Sequence, residues 1–524
     1  MRKLTWVVCV ALMGVACTNE KIVFRTRPPF NPPPDSANGF LGYFDVPTRT
    51  TTCGNCHVTT QGKWTNTKHA HAWTDLQAST HASASCNGCH TVSQLGNNVG
   101  HAAGYLVKAD SAYHDVQCEN CHGPGFAHVQ NPTQATVPLA SIHVDTGLVN
   151  GCGGCHTGVH EPFVDQWKQS AHGSGPGFNA AAANASCAPC HEGKAALTIK
   201  FGVTGRFLEK DSAKLERIVC VVCHDPHGSP NSAQLRASIS TPSTDNLCVT
   251  CHSRSGTPPW GVATATSAAR GPHGAQGLLV LGLNIGWIPP NFTYDTNQIV
   301  SSHGTLANPR LCATCHVAST TVTDKATGAF AFQSVGHLFS AIPCLDTAGI
   351  PTSNENCTVG QRDFSGCTTG GCHGTTGAAS SAFVAFQSRL DNLLDQIWVD
   401  VDANGVIDST DTGILAQMVA RHTGADSAAL NFGSTTTTVA KGTLYNAALA
   451  ATSDRAYFLG GKVFGKSWAA HMASGNGVHN PFLLEALLTS SIAALHSTYG
   501  LTAPLTTDLR VHAIAPPGVR VSSR

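Results

Sequence analysis

The chain has 524 residues, of which 22 are cysteine and 52 are glycine, and only 12% of them are charged. Soluble proteins usually have about 25% charged residues, and only 7% of this chain is aromatic, which predicts that something besides side chains fills the interior. The formal net charge is zero, so no basic surface argues for a nucleic acid partner.

The N-terminus carries a targeting segment. Residues 1–17 begin with two basic residues and continue as a short apolar run, which is too short to span a bilayer and is typical of a secretory signal. Cys17 lies directly after this run. We therefore expect lipoprotein processing and a lipid tether at Cys17, with ordinary signal cleavage as the alternative. Residues 18–45 are rich in proline and predict an extended linker.

A short motif, Cys-x-x-Cys-His, recurs eight times between residues 46 and 380 at nearly regular spacing, with a last interval about twice as long as the others. This internal repeat is the signature of c-type haem attachment. Two cysteines one helical turn apart reach the two vinyl groups of a haem, and the following histidine then lies under the iron. Zinc ribbons or disulfides are the alternatives, but eight copies favour haem. The motif cysteines are Cys53, Cys56, Cys86, Cys89, Cys118, Cys121, Cys152, Cys155, Cys187, Cys190, Cys220, Cys223, Cys248, Cys251, Cys312 and Cys315, and the proximal histidines are His57, His90, His122, His156, His191, His224, His252 and His316.

A ninth, longer motif joins Cys367 and Cys372 to His373. Two extra glycines, Gly370 and Gly371, allow the loop to bulge so that both sulfurs still reach one haem. The alternative pairs these two cysteines with Cys344 and Cys357 as two disulfides. We predict eight or nine haems, with Cys344 and Cys357 joined to each other, as an oxidising compartment allows.

The second axial ligand of each iron is expected to be histidine. The four methionines are Met1, Met13, Met418 and Met472, so none lies among the motifs. Bis-histidine haems, which have low potentials compared with methionine-ligated ones, are therefore predicted. For each candidate, a surface or propionate-binding histidine is the alternative, and His471 is a further C-terminal candidate. The distal candidates are His69, His71, His81, His101, His114, His128, His143, His172, His227, His273, His303, His337 and His479.

The sequence changes character near residue 380. Between the motifs, small and polar residues predict short helices and long irregular connections. Four later segments have apolar residues at helical spacing: 381–398, 409–422, 440–451 and 480–497. We predict a mainly α and irregular, haem-packed array over residues 46–380 with few strands, followed by a mostly helical region over residues 381–524.

An acidic segment between two of these predicted helices fits a calcium-binding loop. Oxygen-bearing residues recur at alternate positions and a glycine stands at the sixth position, as a calcium loop requires. An acidic surface turn is the alternative. The candidate ligands are Asp400, Asp402, Asn404, Val406, Asp408 and Asp411.

Four segments resemble known multihaem cytochromes. Residues 118–125 with His128, and residues 160–172, are similar to segments of the hydroxylamine-oxidoreductase-like cytochromes and their tetrahaem electron-transfer relatives. Residues 225–228 resemble cytochromes with doubled motifs, and residues 477–481 resemble the C-terminal part of several such proteins. The resemblance implies electron transfer and a distal role for His172. No Cys-x-x-Cys-Lys motif occurs, so the likeness to ammonia-forming nitrite reductases fails there.

Three functions fit these patterns. The first is an electron carrier of the periplasm, outer membrane or cell surface, with other redox proteins of the envelope as partners. The second is an enzyme that converts a small nitrogen or sulfur species at one open haem. The third is a homo-oligomeric subunit of an extracellular cytochrome filament. The number of histidines favours the electron carrier.

Overall fold

The computed structural model describes residues 33–144, 151–175, 178, 181–240, 242–255, 260–290, 301–369 and 372–502. Residues 1–17, with the expected lipidation site Cys17, lie outside the described residues, as do Gly370 and Gly371 of the ninth motif. The predicted linker is described only from residue 33 onward.

The motif region is built from short helices joined by long irregular connections. Glycine, proline and asparagine interrupt the chain often, and helices this short are held by tertiary contacts rather than by propensity. The α-helices are Val58–Trp64, Ala72–Ala78, Asn87–His90, Cys118–His122, Phe126–Gln130, Phe163–Trp167, Ala171–Ser174, Ala188–His191, Gly193–Ala195, Cys220–Cys223, Gln276–Leu281, Cys312–His316 and Ser365–Thr368, with a π-helical turn at Ala196–Lys200. The 3-10 turns are Cys53–Asn55, His69–His71, Ala84–Cys86, Gly104–Leu106, Ser111–Tyr113, Gly151–Gly154, Ser232–Gln234, Ser302–Gly304 and Val359–Gln361.

Strands are few and short. Three two-stranded antiparallel ribbons lie in the motif region, and one three-stranded sheet joins that region to the C-terminal part. In this sheet, Ala269–Arg270 pairs in parallel with Lys466–Ala469, which also pairs with Gly460–Val463 in antiparallel. The ribbons are Tyr43–Asp45 with Thr50–Thr51, Thr320–Thr323 with Phe330–Ser334, and Cys344–Leu345 with Pro351–Thr352.

The C-terminal region contains the largest apolar core. Its central helix, Val439–Ala450, is buried at every position from Ala440 onward. The last helix, Pro481–Tyr499, packs its leucines against it. Asn480 caps this last helix through Leu483 N, with proline at the first helical position. The helices are Thr376–Ile397, Ile414–Arg421, Gly424–Ala429, Val439–Ala450 and Pro481–Tyr499, with a 3-10 segment at Ser453–Leu459.

This core also takes in a segment that precedes the last motifs. Trp260 is 1% exposed and its indole Nε1 donates to Lys441 O at 2.9 Å. Ala269, Leu279 and Ile285 lie in the same cluster. The prediction of a mainly α and irregular fold with few strands is confirmed. The shared core shows that residues 260–285 pack with the C-terminal helices, which local helical periodicity cannot reveal.

Candidate functional site

The nine motifs are numbered here as sites 1 to 9 in chain order, from Cys53 to Cys367. Most motifs form a helical turn, and sites 3 and 8 are α-helical over the whole motif, at Cys118–His122 and Cys312–His316. A helical turn places the two cysteines on one side of the chain. The motif conformation therefore suits the attachment of one planar ring by two sulfurs.

Seven motif histidines each face one histidine from outside the motifs. The two imidazole centroids are between 6.0 and 6.3 Å apart in every pair. Each pair combines one expected proximal ligand with one expected distal ligand. The pairs are His122 with His227 (site 3), His156 with His69 (site 4), His191 with His273 (site 5), His224 with His337 (site 6), His252 with His172 (site 7), His316 with His479 (site 8) and His373 with His303 (site 9).

This repeated separation fits one metal ion between two imidazoles. A ring nitrogen lies about 2 Å from a metal that it binds, so two axial rings on one iron have centroids about 6 Å apart. Imidazoles packed directly against each other lie closer, as His273 and His471 do at 4.4 Å. The donor set of two thiols and two imidazoles at each of these sites therefore fits haem c.

Hydrogen bonds from Nδ1 orient many of these rings. When Nδ1–H donates to a backbone carbonyl, Nε2 keeps its lone pair for a metal and the ring cannot rotate freely. His316 donates to Phe339 O at 2.8 Å, and its partner His479 donates to Ala473 O at 2.7 Å. The same arrangement holds His90 to Ala72 O, His122 to Pro138 O, His224 to Ala233 O, His303 to Val478 O and His337 to Val335 O.

Several facing imidazoles are kept neutral. Removal from bulk water, together with repulsion from the facing histidine, lowers the pKa of His69, His172 and His479 to about 4. A neutral imidazole is the form that binds a metal. These rings are therefore ready to bind iron at neutral pH without losing a proton first.

Sites 1 and 2 differ from the other seven. His57 and His90 stand outside the seven pairs. Beside site 1, the backbone at Gly125 approaches Cys53, since a Cβ at Gly125 would lie 3.9 Å from Cys53 Sγ. The helix Phe126–Gln130 that follows carries the candidate His128, whose Nδ1 lies 3.3 Å from Thr136 Oγ1. Beside site 2, His114 stacks on Trp73 at 4.2 Å.

The expected distal ligand His71 is engaged elsewhere on both ring nitrogens, which corrects that assignment, and three further candidates stand outside the seven pairs. His71 accepts from Arg49 Nη1 through Nδ1 and donates to Thr65 O through Nε2, so neither nitrogen is left for a metal. The exposed His101 donates from Nε2 to Asn38. The Nδ1 of His143 bonds to a Glu216 carboxylate oxygen at 2.8 Å. His81 lies on the surface.

Site 9 lies beside the disulfide. Cys344 and Cys357 are joined by an S–S bond, with Cα atoms 6.0 Å apart. Cys367 and Cys372 are free thiols. Their motif histidine, His373, faces His303, as the motif histidines of sites 3 to 8 face theirs.

Two phenylalanines were not anticipated from the sequence. Phe163 contacts the ring of His156 at 5.5 Å and that of His337 at 4.8 Å, which places it between ligands of sites 4 and 6. Phe339 contacts the ring of His172 at 4.6 Å and that of His337 at 5.3 Å. The only local signal is that each lies within a few residues of an expected ligand.

No role for the buried Glu119 was predicted from the sequence. Its carboxylate accepts from the backbone nitrogens of Leu41, Gly42 and Gly125. Burial raises its pKa to about 7, and these donors oppose that rise. The side chain therefore ties the start of the described chain to the motif of site 3.

The acidic loop brings three carboxylates together. Carboxylate oxygens of Asp400, Asp402 and Asp411 lie within 4.8 Å of one another. Gly405 has a φ of +69°, and its N–H donates to Asp400 Oδ2 at 2.9 Å. The carboxylate of Asp408 instead accepts from Thr410.

Two segments match models of known families. A model described as the doubled CXXCH motif matches residues 214–257, which contain sites 6 and 7. A model described as cytochrome c554 and c-prime matches residues 52–123, which contain sites 1 to 3. No curated relative and no solved structure matches the chain.

The motifs and both matches define a protein that carries covalently bound haem c and transfers electrons. The chain is a multihaem c-type cytochrome. Neither match reaches the narrower hydroxylamine-oxidoreductase-like group. Cytochromes of this type are typically exported proteins. Among the described helices, none is both long and apolar enough to cross a membrane.

Proposed function

We propose that the protein carries electrons through nine low-potential, mostly bis-histidine haems in the cell envelope, in respiratory or extracellular electron transfer. The observation that carries this proposal is the set of seven imidazole pairs at one common separation. Other redox proteins of the envelope are the proposed partners. When bound, the haem irons supply reversible one-electron chemistry.

The chain's own residues favour a low potential and fast transfer. Met418 is fully buried in the C-terminal core, and each of sites 3 to 9 already has two facing imidazoles, so histidine is the axial ligand at these sites. Bis-histidine ligation lacks the rise in potential that methionine brings. Nδ1 hydrogen bonds hold the rings in one orientation, which reduces the rearrangement that accompanies each change of charge.

The oxidised protein is expected to contain nine haems per chain, of which at least seven are low-spin. Haem is quantified by pyridine haemochrome, and spin state by low-temperature electron paramagnetic resonance. Two facing imidazoles give a strong ligand field, so sites 3 to 9 must all be low-spin. Fewer than seven low-spin haems in fully loaded protein would contradict the pairing.

A second candidate function rests on sites 1 and 2. Since His57 and His90 stand outside the seven pairs, either site is the place for an open haem that converts a small nitrogen or sulfur species. The same spectra separate the two functions. A high-spin signal near one haem per chain that shifts with nitrite or hydroxylamine supports an enzyme, and nine low-spin haems exclude it.

We also propose that the protein is exported and tethered to a membrane by a lipid on Cys17. The support is the short apolar run that begins at Leu4 and ends at Ala16, with Cys17 directly after it. Mass spectrometry of the purified N-terminus distinguishes the two outcomes. A diacylglyceryl cysteine at position 17 supports the tether, whereas a free N-terminus beyond this residue contradicts it.

The acidic loop is proposed to bind a calcium ion with a structural role. Its three clustered carboxylates provide oxygen ligands. Trp398 Nε1 donates to Asp411 Oδ2 at 2.8 Å, and Trp398 is fully buried in the C-terminal core. An ion held here stabilises the connection between the helices Thr376–Ile397 and Ile414–Arg421.

Replacing Asp400 by alanine is expected to abolish calcium binding and the stabilisation that calcium provides. A ligand at 100 times its Kd stabilises the folded state by about 2.7 kcal/mol. Isothermal titration calorimetry measures binding, and thermal unfolding with and without chelator measures stability. Asp211→Ala, at an exposed acidic position elsewhere, is the control. Equal unfolding temperatures with and without calcium in the unmodified protein would contradict the proposal.

A further inference from the structure

Contacts between the attachment sites repeat along the chain. The thiols of Cys53 and Cys118, the first cysteines of sites 1 and 3, lie next to each other, and Thr51 Oγ1, two residues before Cys53, lies 3.8 Å from Cys118 Sγ. The first cysteines of sites 4 and 6, Cys152 and Cys220, make the same contact. Sites 1 and 3 are therefore neighbours, and so are sites 4 and 6.

Sites 2 and 5 make a second kind of repeated contact. The thiols of Cys89 and Cys155, the second cysteines of sites 2 and 4, lie next to each other, and a Cβ on Gly154 of site 4 would lie 2.7 Å from Gly96 N, just after the motif of site 2. The thiols of Cys190 in site 5 and Cys251 in site 7 are neighbours in the same way, and Lys200 Nζ, beyond site 5, donates to Thr250 O within the motif of site 7 at 3.0 Å. Sites 2 and 5 thus each contact a site two motifs later in the sequence, site 4 and site 7 respectively. The motifs consequently form units of three, in which the middle member contacts the first member of the next unit.

Two tryptophans confirm that the units have the same local structure. Trp64 Nε1 donates to Val116 O at 3.1 Å, and Trp167 Nε1 donates to Ile218 O at 2.9 Å. Each acceptor lies two residues before the third motif of its unit. The histidine five residues after each tryptophan faces the first motif histidine of the next unit. A single folding pattern therefore generates both units.

A third unit lacks its middle site. Cys248 of site 7 and Cys312 of site 8 share the thiol contact that marks the first and third members. The interval between them is the long one, and its residues 260–285 pack into the C-terminal core instead. Site 9 follows directly, because a Cβ on Gly366 would lie 3.3 Å from Cys315 O of site 8.

Contacts at the junctions join the units. Phe163 lies between ligands of sites 4 and 6, and Phe339 lies between ligands of sites 6 and 7. Sites 3 and 4 meet at Gly96, where an added Cβ would lie 2.7 Å from Asn120 O and 3.5 Å from Gly151 O. Each unit is thus in contact with the next.

We propose that the sites form a trunk in the order 1, 3, 4, 6, 7, 8, 9, with site 2 as a side site on site 4 and site 5 as a side site on site 7. This order rests on the proposed electron-transfer function. Electrons that cross the molecule follow the trunk, and the side sites lie off that path. Cys56 of site 1 and Cys372 of site 9, at the two ends of the trunk, are exposed, as is Cys121 of site 3.

The iron positions in the haem-loaded full-length protein test the order directly. Cryo-electron microscopy or crystallography should place the iron of site 2 nearest to that of site 4, and the iron of site 5 nearest to that of site 7. An iron of site 2 nearest to site 1 or 3 would overturn the order, and so would an iron of site 5 nearest to site 6. Neither result would affect the haem count or the spin states that test the proposed function.

A kinetic test separates the trunk from the order of motifs in the sequence. Two separate variants are compared. His337→Met turns site 6 into a high-potential electron acceptor and His273→Met does the same for site 5, and in each variant the methionine-ligated iron has a charge-transfer band. A ruthenium photosensitiser on Val58→Cys, at a position that is 68% exposed beside site 1, injects the electron. We expect the band of site 6 to bleach before that of site 5. Earlier arrival at site 5 would overturn the proposal.

Discussion

Replacing His479 by methionine is expected to raise the reduction potential of site 8 above that of every other site in the chain. Axial ligands set haem potentials over a range of about 0.8 V, and methionine in place of histidine raises the potential. His479 faces His316 at a centroid separation of 6.1 Å, and its Nδ1 donates to Ala473 O. Methionine has a similar length and keeps the backbone contacts of the neighbouring residues.

A spectroelectrochemical titration measures this change. One haem of nine should separate from the rest, become reduced first and show the charge-transfer band of methionine-ligated ferric iron. His101→Met is the matched control, because His101 is exposed and bonds only to Asn38 among the described contacts. If methionine does not bind, His479→Ala should give one high-spin haem per chain. An unchanged titration together with unchanged spin states would contradict the assignment of His479 to site 8.

Replacement of His479 should also affect site 9, because residues 478–480 support both site 8 and site 9. Val478 O accepts the Nδ1–H of His303, which faces His373 of site 9 at 6.1 Å. The Asn480 cap at the start of the last helix fixes the position of this segment. The C-terminal helices therefore supply a ligand to one site and orient the ligand of another. This gives the C-terminal region a role at the end of the haem series.

The sequence predicted the attachment motifs and the C-terminal helices because both are local patterns. A Cys-x-x-Cys-His motif needs only one turn of chain, and the four predicted helices lie close to observed ones, as 480–497 does to Pro481–Tyr499. Absence of methionine among the motifs restricted the second ligand to histidine. All seven facing histidines belong to the predicted distal set.

The pairing of histidines could not be predicted, because it depends on tertiary packing. His227 follows the motif of site 6 yet faces His122 of site 3, and His479 reaches site 8 from the C-terminal region. Nothing near His71 in the sequence shows that Arg49 engages its ring. The contacts of Phe163 and Phe339 could not be predicted either, since a lone aromatic residue shows no periodicity.

The three-site unit explains why the ligand pairs span such long sequence separations. Contacts run from one unit to the next, so a histidine in one unit completes a site in another. Residues 1–56 contain no histidine. These residues therefore do not supply site 1 with a second imidazole in the way that His69 and His172 supply sites 4 and 7. This accounts for the different surroundings of His57.

Phe339 should be the residue that affects the axial ligands of the largest number of haem sites. Its ring contacts the distal ligands of sites 6 and 7, and its carbonyl accepts the Nδ1–H of His316 at site 8. Its φ of +55° lies in the left-handed region, which costs a bulky residue about 1–2 kcal/mol. Contacts with three sites offset that cost, so the backbone here is held by the array around it.

Phe339→Leu is expected to change two of the low-spin signals, those of sites 6 and 7, because leucine fills space but does not hold the imidazole planes. The lost packing should lower stability by about 1–2 kcal/mol. Phe339→Gly relieves the left-handed strain but loosens the carbonyl, so the signal of site 8 should shift as well. Phe330→Leu, at a 51% exposed position on a nearby strand, is the control. Unchanged low-spin signals in Phe339→Leu would show that the ring does not orient these ligands, whereas shifts confined to sites 6 and 7 would place Phe339 at their junction.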